Sequence, residues 1–180
     1  MSDLSALTAG TWNVDPMHTT IGFTVRHLMI TKVHGTFKDF AGTITVGADP
    51  MQSSVQATVQ MASVHTGDDN RDGHLRTGDF FEVETYPTMT LQSTGISGKG
   101  GDYTLHADLT IKGITKKVDF DLEFEGVSKD LYGNTKAGFS ASAEINRKDW
   151  GIEWNAVLDN GGVALGEKVK LNLDVQAVKA

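Results

Sequence analysis

Residues 68–79 read DDNRDGHLRTGD, and their spacing has the form of an ion site. Asp68, Asn70, Asp72, Gly73, Leu75 and Asp79 fall at positions one, three, five, six, eight and twelve of an EF-hand calcium loop. The surroundings do not fit that frame. The preceding VQATVQMASVHTG alternates with period two and carries Val55, Thr58, Val59, Val64 and Thr66, so it reads as a strand where an entering helix belongs. Asp79 is a shorter last ligand than the usual Glu, and Arg71, His74 and Arg76 put positive charge where a cation would sit. The local alternative is a short helical segment around residues 70–81. Asp68, Asp69 or Asn70 would cap it, Asp72 would lie in its first turn, and Leu75, Phe80 and Phe81 would form its buried side.

Other chemistry is sparse. The histidines are His18, His27, His34, His65, His74 and His106, with no HExxH spacing and no His-rich tract. No GxSxG elbow, GxxxxGK[ST] loop or dinucleotide fingerprint occurs, and the glycines of SGKGGD read as a hairpin turn. Zero cysteines removes disulfides, thiolate metal sites and thiol catalysis together. The expectation is a protein that is not an enzyme, with no cofactor and no metal. Two alternatives stay open: a small-molecule enzyme using a histidine site near His18, His27 or His74, and a calcium-dependent binding module.

The elements that must position any site are strands. Tyr103, Leu105, Ala107, Leu109 and Ile111 alternate with Thr104, His106, Asp108 and Thr110. Val118, Phe120, Leu122 and Phe124 alternate with an acidic row of Asp119, Asp121, Glu123 and Glu125, which reads as a solvated face. The same period runs through FSASAEI, VKLNLDV, IGFTV and VQATVQM. Turn residues at Ala48-Asp49-Pro50, Gly98 to Asp102, Tyr132-Gly133-Asn134 and Asn160-Gly161-Gly162 separate these runs. About eight one-sided strands must close into a barrel or stack as a sandwich, and a barrel of that size either fills with side chains or holds one small ligand. Ala57, Ala141 and Ala143 are small inward residues that leave space. The fold class expected is all-β, an extended antiparallel lipocalin-like barrel in one domain over residues 1–180, with residues 1–10 as an N-terminal tail. Trp150, Ile152 and Trp154 share strand parity in NRKDWGIEWN and read as an end plug or a cavity wall.

The net charge of −7 and the absence of a Lys/Arg run argue against nucleic acid as a partner. MSDLSALTAGTWNVD has no basic segment followed by an apolar run, and no stretch approaches the roughly 20 apolar residues of a membrane span. A cytoplasmic location is the corresponding expectation, unless a signal was trimmed.

Four blocks in order resemble the YceI-like family of lipid-binding barrels: TWNVDPMHTTIGFTVRHLMITKVHGTF, NRDGHLRTGDFFEVETYP, LTIKGITKKVDFDLE and INRKDWGIEWN. Asp15, Pro16 and His18 match its DPxH motif, and His27, Leu28, Lys32, Val33, Gly35 and Phe37 match the segment that follows. Arg71, Asp72, His74 and Leu75 match RDxHL, with Phe80 and Phe81 as the paired aromatics and Tyr86-Pro87 as the YP element. Thr19, His34 and Leu91 depart from the commoner Ser, Arg and Phe. The resemblance implies an apolar channel for a polyisoprenoid, quinone or other long-chain amphiphile, binding or transport without catalysis, and a homodimer. Within that reading the inward candidates are Phe23, Val25, Phe37, Phe81, Met89, Ile111, Phe139, Ile152 and Trp154. Arg26, Arg71, Arg76 and Arg147 are the candidates for a phosphate-bearing headgroup, because guanidinium pairs well with phosphate oxygens.

Overall fold

The computed structural model describes residues 3–180 and is built from strands: β1 (Gly10–Val14), β2 (Thr20–His27), β3 (Thr31–Phe37), β4 (Phe40–Val46), β5 (Ser54–Gln60), β6 (Val64–His65), β7 (Thr88–Lys99), β8 (Asp102–Ile111), β9 (Ile114–Lys129), β10 (Thr135–Asn146) and β11 (Leu165–Lys179). One helix, α1 (Asp69–Leu75), interrupts them. All pairings are antiparallel, and the pairing of β1 with β11 closes the sheet into a barrel. The expected all-β barrel of about eight strands is the fold found.

Eleven short strands make eight walls because three walls are broken. β1 and β2 lie on the same edge of β11, with Val14 opposite Ala177 and Ile21 opposite Leu173. Between them Pro16 has no N–H to give a ladder. The wall stays attached because Asp15 N donates to the Gln176 carbonyl at 2.7 Å. The Thr19 hydroxyl adds a donation to that carbonyl at 3.3 Å and accepts from Gln176 N at 3.1 Å. β3 and β4 are split at Lys38-Asp39, and β5 and β6 by a single 3₁₀ turn, Met61–Ser63. Lys38 N bridges the two breaks by donating to the Ser63 carbonyl at 3.2 Å.

The inward rows are those the alternation picks out. Tyr103, Leu105, Ala107, Leu109 and Ile111 on β8 and Val118, Phe120, Leu122 and Phe124 on β9 are buried, while Asp119, Asp121, Glu123 and Glu125 are exposed. Two segments differ from the sequence expectation. Residues 3–7 are packed into the barrel end and are not a free tail: Asp3 caps a 3₁₀ turn, Leu4–Ala6, Leu4 N donates to the Tyr103 hydroxyl at 3.1 Å, and Leu4 and Leu7 are buried. NRKDWGIEWN is not a strand. Asn146 caps a 3₁₀ turn, Arg147–Trp150, which ends at Gly151 with φ of 72°, a left-handed value that suits glycine. α1 ends at Leu75, short of the expected residue 81, and a series of turns continues the segment to Tyr86.

Trp12 pins the closure seam. Its side chain has no exposed surface, its indole N–H donates to the Thr8 carbonyl at 3.0 Å, and Lys179 Nζ lies 5.9 Å from the ring centroid. Trp12→Ala is expected to lower unfolding free energy by about 3–5 kcal/mol in urea titrations, the range for emptying a buried aromatic site. A loss below about 1 kcal/mol would show that the seam does not depend on this ring.

Candidate ligand cavity

Small residues keep the walls from filling the barrel. Gly42 and Ala57 on neighbouring strands and Ala141 on β10 face a lower compartment of about 170 Å³. Its walls include Ile21, Phe40, Leu91, Phe120, Phe139 and Leu173, and Leu4 and Leu7 close its end. Among the described residues, its lining is apolar apart from Ser53, Ser54 and Thr90.

An upper compartment of about 290 Å³ lies beneath α1 and the 147–154 segment. It takes in Val25, Phe81, Ile111, Trp150, Ile152 and Trp154, together with His27, Arg71, His74 and Arg147. Phe23, Phe37, Met89 and Leu171 border both compartments and form the waist between them. The Phe23 and Phe37 rings stand 5.5 Å apart there, and Phe37 reaches Phe81 at 6.0 Å. Gly35 gives Phe23 its place: a Cβ on Gly35 would lie 2.2 Å from the Phe23 ring, so only glycine lets the ring fold against β3.

The structure places every inward candidate, from Phe23 to Trp154, on one compartment or both. The headgroup candidates divide. Arg71 and Arg147 border the upper compartment. Arg26 does not, because strand alternation turns it outward between Val25 and His27, where it is exposed opposite Lys32. Arg76 does not either: Nε donates to the Ala62 carbonyl at 2.9 Å and Nη2 to the Val64 carbonyl at 3.4 Å, which ties the helix to the broken β5–β6 wall.

The string DDNRDGHLRTGD spends its oxygens locally. Asp68 caps α1 by accepting from Arg71 N at 2.9 Å. Asp72 is buried and accepts from Thr66 N at 2.9 Å and the Thr66 hydroxyl at 2.5 Å. Asp79 pairs with His74 Nε2 at 2.8 Å. Among the described residues no cluster of three or more His, Cys, Asp or Glu is placed to hold a metal. His74 also stacks edge-on against Phe80 and Trp154, at 5.0 and 4.9 Å, which roofs the upper compartment. Asp15 and His18 lie at the β1–β2 break, away from the cavity. The His18 ring, 2.8 Å from Asp15, holds that carboxyl below the usual carboxylate range, aided by Met17 N–H and opposed by burial.

Arg147 is 5% exposed. Its Nε donates to the Gly166 carbonyl at 2.9 Å, and Nη1 donates to the Ile152 and Trp154 carbonyls at 2.8 and 2.9 Å. Those bonds hold the irregular 152–154 segment over the cavity. Burial draws its pKa below the usual arginine value, against the opposing charge of Glu167. Leu4 and Leu7, assigned by the sequence reading to a tail, are among the cavity residues it missed, as are Phe40, Gly42 and Ile44 on β4. The signal of Leu4 and Leu7 is an apolar pair three apart behind a capping Asp3. The hairpin tip beside the upper compartment exposes Met29 and Ile30, and Leu28 N donates to the Ala164 carbonyl there at 2.8 Å.

A closed eight-stranded antiparallel barrel with an apolar interior and a few basic groups at one end is a lipocalin-like binding barrel. The YceI-like domain model matches residues 12–177, and the chain belongs to that family. A UPF0312 protein of Staphylococcus epidermidis is 38% identical over 167 residues, covering 92% of this chain and 95% of the relative. BcnA of Burkholderia cenocepacia superposes with a TM-score of 0.77 at 23% identity, over 91% of this chain and 98% of that one. A polyisoprenoid binding domain from Saccharophagus degradans superposes with a TM-score of 0.70 at 16% identity, over 96% of this chain and 100% of its own. Among the described residues, no helix is long and apolar enough to cross a membrane.

Two measurements check this geometry. Thermal melts in millimolar calcium and in chelator are expected to superimpose, since Asp68, Asp72 and Asp79 are engaged elsewhere; a rise in Tm with calcium would restore the ion site. Gly35→Ala is expected to push the Phe23 ring into the waist. A long-chain fluorescent probe should then bind about tenfold more weakly, a loss of roughly 1.4 kcal/mol. Unchanged affinity would mean that the ligand does not pass the waist.

Proposed function

We propose that the protein binds one long-chain amphiphile of isoprenoid type along the barrel lumen and acts as a carrier. The observation behind this reading is the pair of compartments meeting at Phe23, Phe37, Met89 and Leu171, with apolar walls from Leu7 to Trp154. Burying a chain there gains about 0.8 kcal/mol per methylene, so a long apolar tail binds tightly with little polar help. The waist suits an extended chain better than a globular ligand, which would fill one compartment only. The family membership and the likeness to a polyisoprenoid binding domain support an isoprenoid over a compact apolar ligand.

A carrier fits the polar groups better than an enzyme does. His34 bonds Thr24 at 3.0 Å, and His106 bonds both Ser97 at 2.9 Å and Asp119 at 2.7 Å, but these groups sit on exposed outer faces and border neither compartment. The His74 ring is held by Asp79 and the aromatic roof, and among the described residues no serine or threonine hydroxyl bonds that ring; the Thr77 hydroxyl donates instead to the His74 backbone carbonyl.

Purified protein is expected to release a long-chain lipid into organic solvent, identifiable by mass spectrometry. Ala141→Phe should then reduce lipid recovery several-fold while the circular dichroism spectrum stays that of a β-barrel. A clean extract, with no uptake of added prenyl chains, would sink the proposal.

A further inference from the structure

We infer that Arg147 is the anchor for an anionic headgroup, so that the bound amphiphile lies with its tail toward Leu4 and Leu7 and its charged oxygens beneath Trp154. This inference rests on the lipid-binding reading above and adds the class of headgroup and the direction of the chain.

Three observations carry it. Among the described residues, Arg147 Nη2 is the buried side-chain polar atom that lacks a hydrogen-bond partner, and its residue borders the upper compartment. The other guanidinium nitrogens are committed to the carbonyls of Gly166, Ile152 and Trp154. Both N–H bonds of Nη2 are therefore surplus to bracing the fold, and leaving buried donors unsatisfied is unfavourable. Second, among the described residues no ion pair holds Arg147. Its nearest acid in electrostatic effect is Glu167, half exposed and bonded to Lys148 at 2.9 Å. A buried cation without a partner is costly, and an anionic oxygen at Nη2 would supply both the missing acceptor and the missing charge.

Third, the cavity is electrostatically one-sided. Among the described residues, no acidic side chain borders either compartment, and the cationic ones, Arg71 and Arg147, border the upper one alone. Arg71 is held by Thr66, with Nε donating to the hydroxyl at 2.7 Å and Nη2 to the carbonyl at 2.8 Å, so its charge is fixed at the same end. An uncharged headgroup such as an alcohol would meet the hydrogen bond but not the charge. A carboxylate and a phosphate share the required chemistry, two or more anionic oxygens able to accept from a guanidinium fork.

The test compares matched ligands by isothermal titration: farnesyl diphosphate against farnesol, and palmitate against hexadecanol. In the unaltered protein the anion of at least one pair is expected to bind tenfold or more tightly than its alcohol. A preference in the first pair alone assigns a phosphate, in the second alone a carboxylate, and in both an anion of either kind. Arg147→Met should bring the ratio close to one. Arg147→Lys keeps a cation and three donors for the three carbonyls but loses the surplus Nη2, so its ratio should fall several-fold while its melting temperature stays nearer that of the parent. A ratio near one in the unaltered protein overturns the inference and leaves Arg147 a brace. So does a ratio that survives in a folded Arg147→Met or Arg147→Lys protein. Binding of none of the four ligands removes the lipid-binding reading itself.

Discussion

Closure is the constraint on which the rest of the structure depends. Once β1 pairs with β11, the inner faces of the walls have nothing to pack against except one another and whatever enters the lumen. Large residues on β8 and β9 fill part of that space, with Phe120 and Phe124 almost wholly buried. Gly42 and Ala57 on the far walls and Ala141 on the neighbouring β10 do not reach across. The lumen left between them is the site, so the cavity is a consequence of which walls carry small residues. The broken walls serve the same end. The breaks at Pro16, Lys38 and Met61 let short strands bend around the barrel, and Asp15, Thr19 and Ser63 hold the backbone across them.

The two ends differ in how they are closed. The lower end is shut by Leu4 and Leu7, which add only apolar surface. The upper end is roofed by α1 and the 147–154 segment, and both bring charge: Arg71 from the helix and Arg147 from the 3₁₀ turn. A lumen that is apolar at the bottom and basic at the top has a direction built into it. The DPxH and RDxHL motifs secure two of the regions of backbone where regular pairing fails. Asp15 and His18 hold the β1–β2 break, and Asp72 ties α1 to Thr66. The DPxH motif and Asp72 are thus framework, while Arg71, His74, Leu75, Phe80 and Phe81 of the second block border the cavity.

Much of this was legible in the sequence because strand alternation reports which side chains share a face. The rows on β8 through β11 were visible as rows, and the inward candidates that border the cavity, Met89 apart, came from them or from the family blocks. Alternation fails wherever a strand is broken or absent. Trp150, Ile152 and Trp154 share parity, yet they reach the cavity from a 3₁₀ turn and an irregular segment. Leu4 and Leu7 lie in a stretch too short to show any period. Composition could not sort the arginines, since a guanidinium that braces backbone carbonyls and one that faces a ligand read alike; Arg76 and Arg147 differ only in where their donors end.

A crystal structure of the protein loaded with a long prenyl lipid tests the occupied lumen most directly. Continuous density should run from beside Ala141 in the lower compartment, past Phe23, Phe37 and Met89, to the upper compartment. Density confined to the outer surface, or an unchanged lumen at saturating lipid, would contradict it.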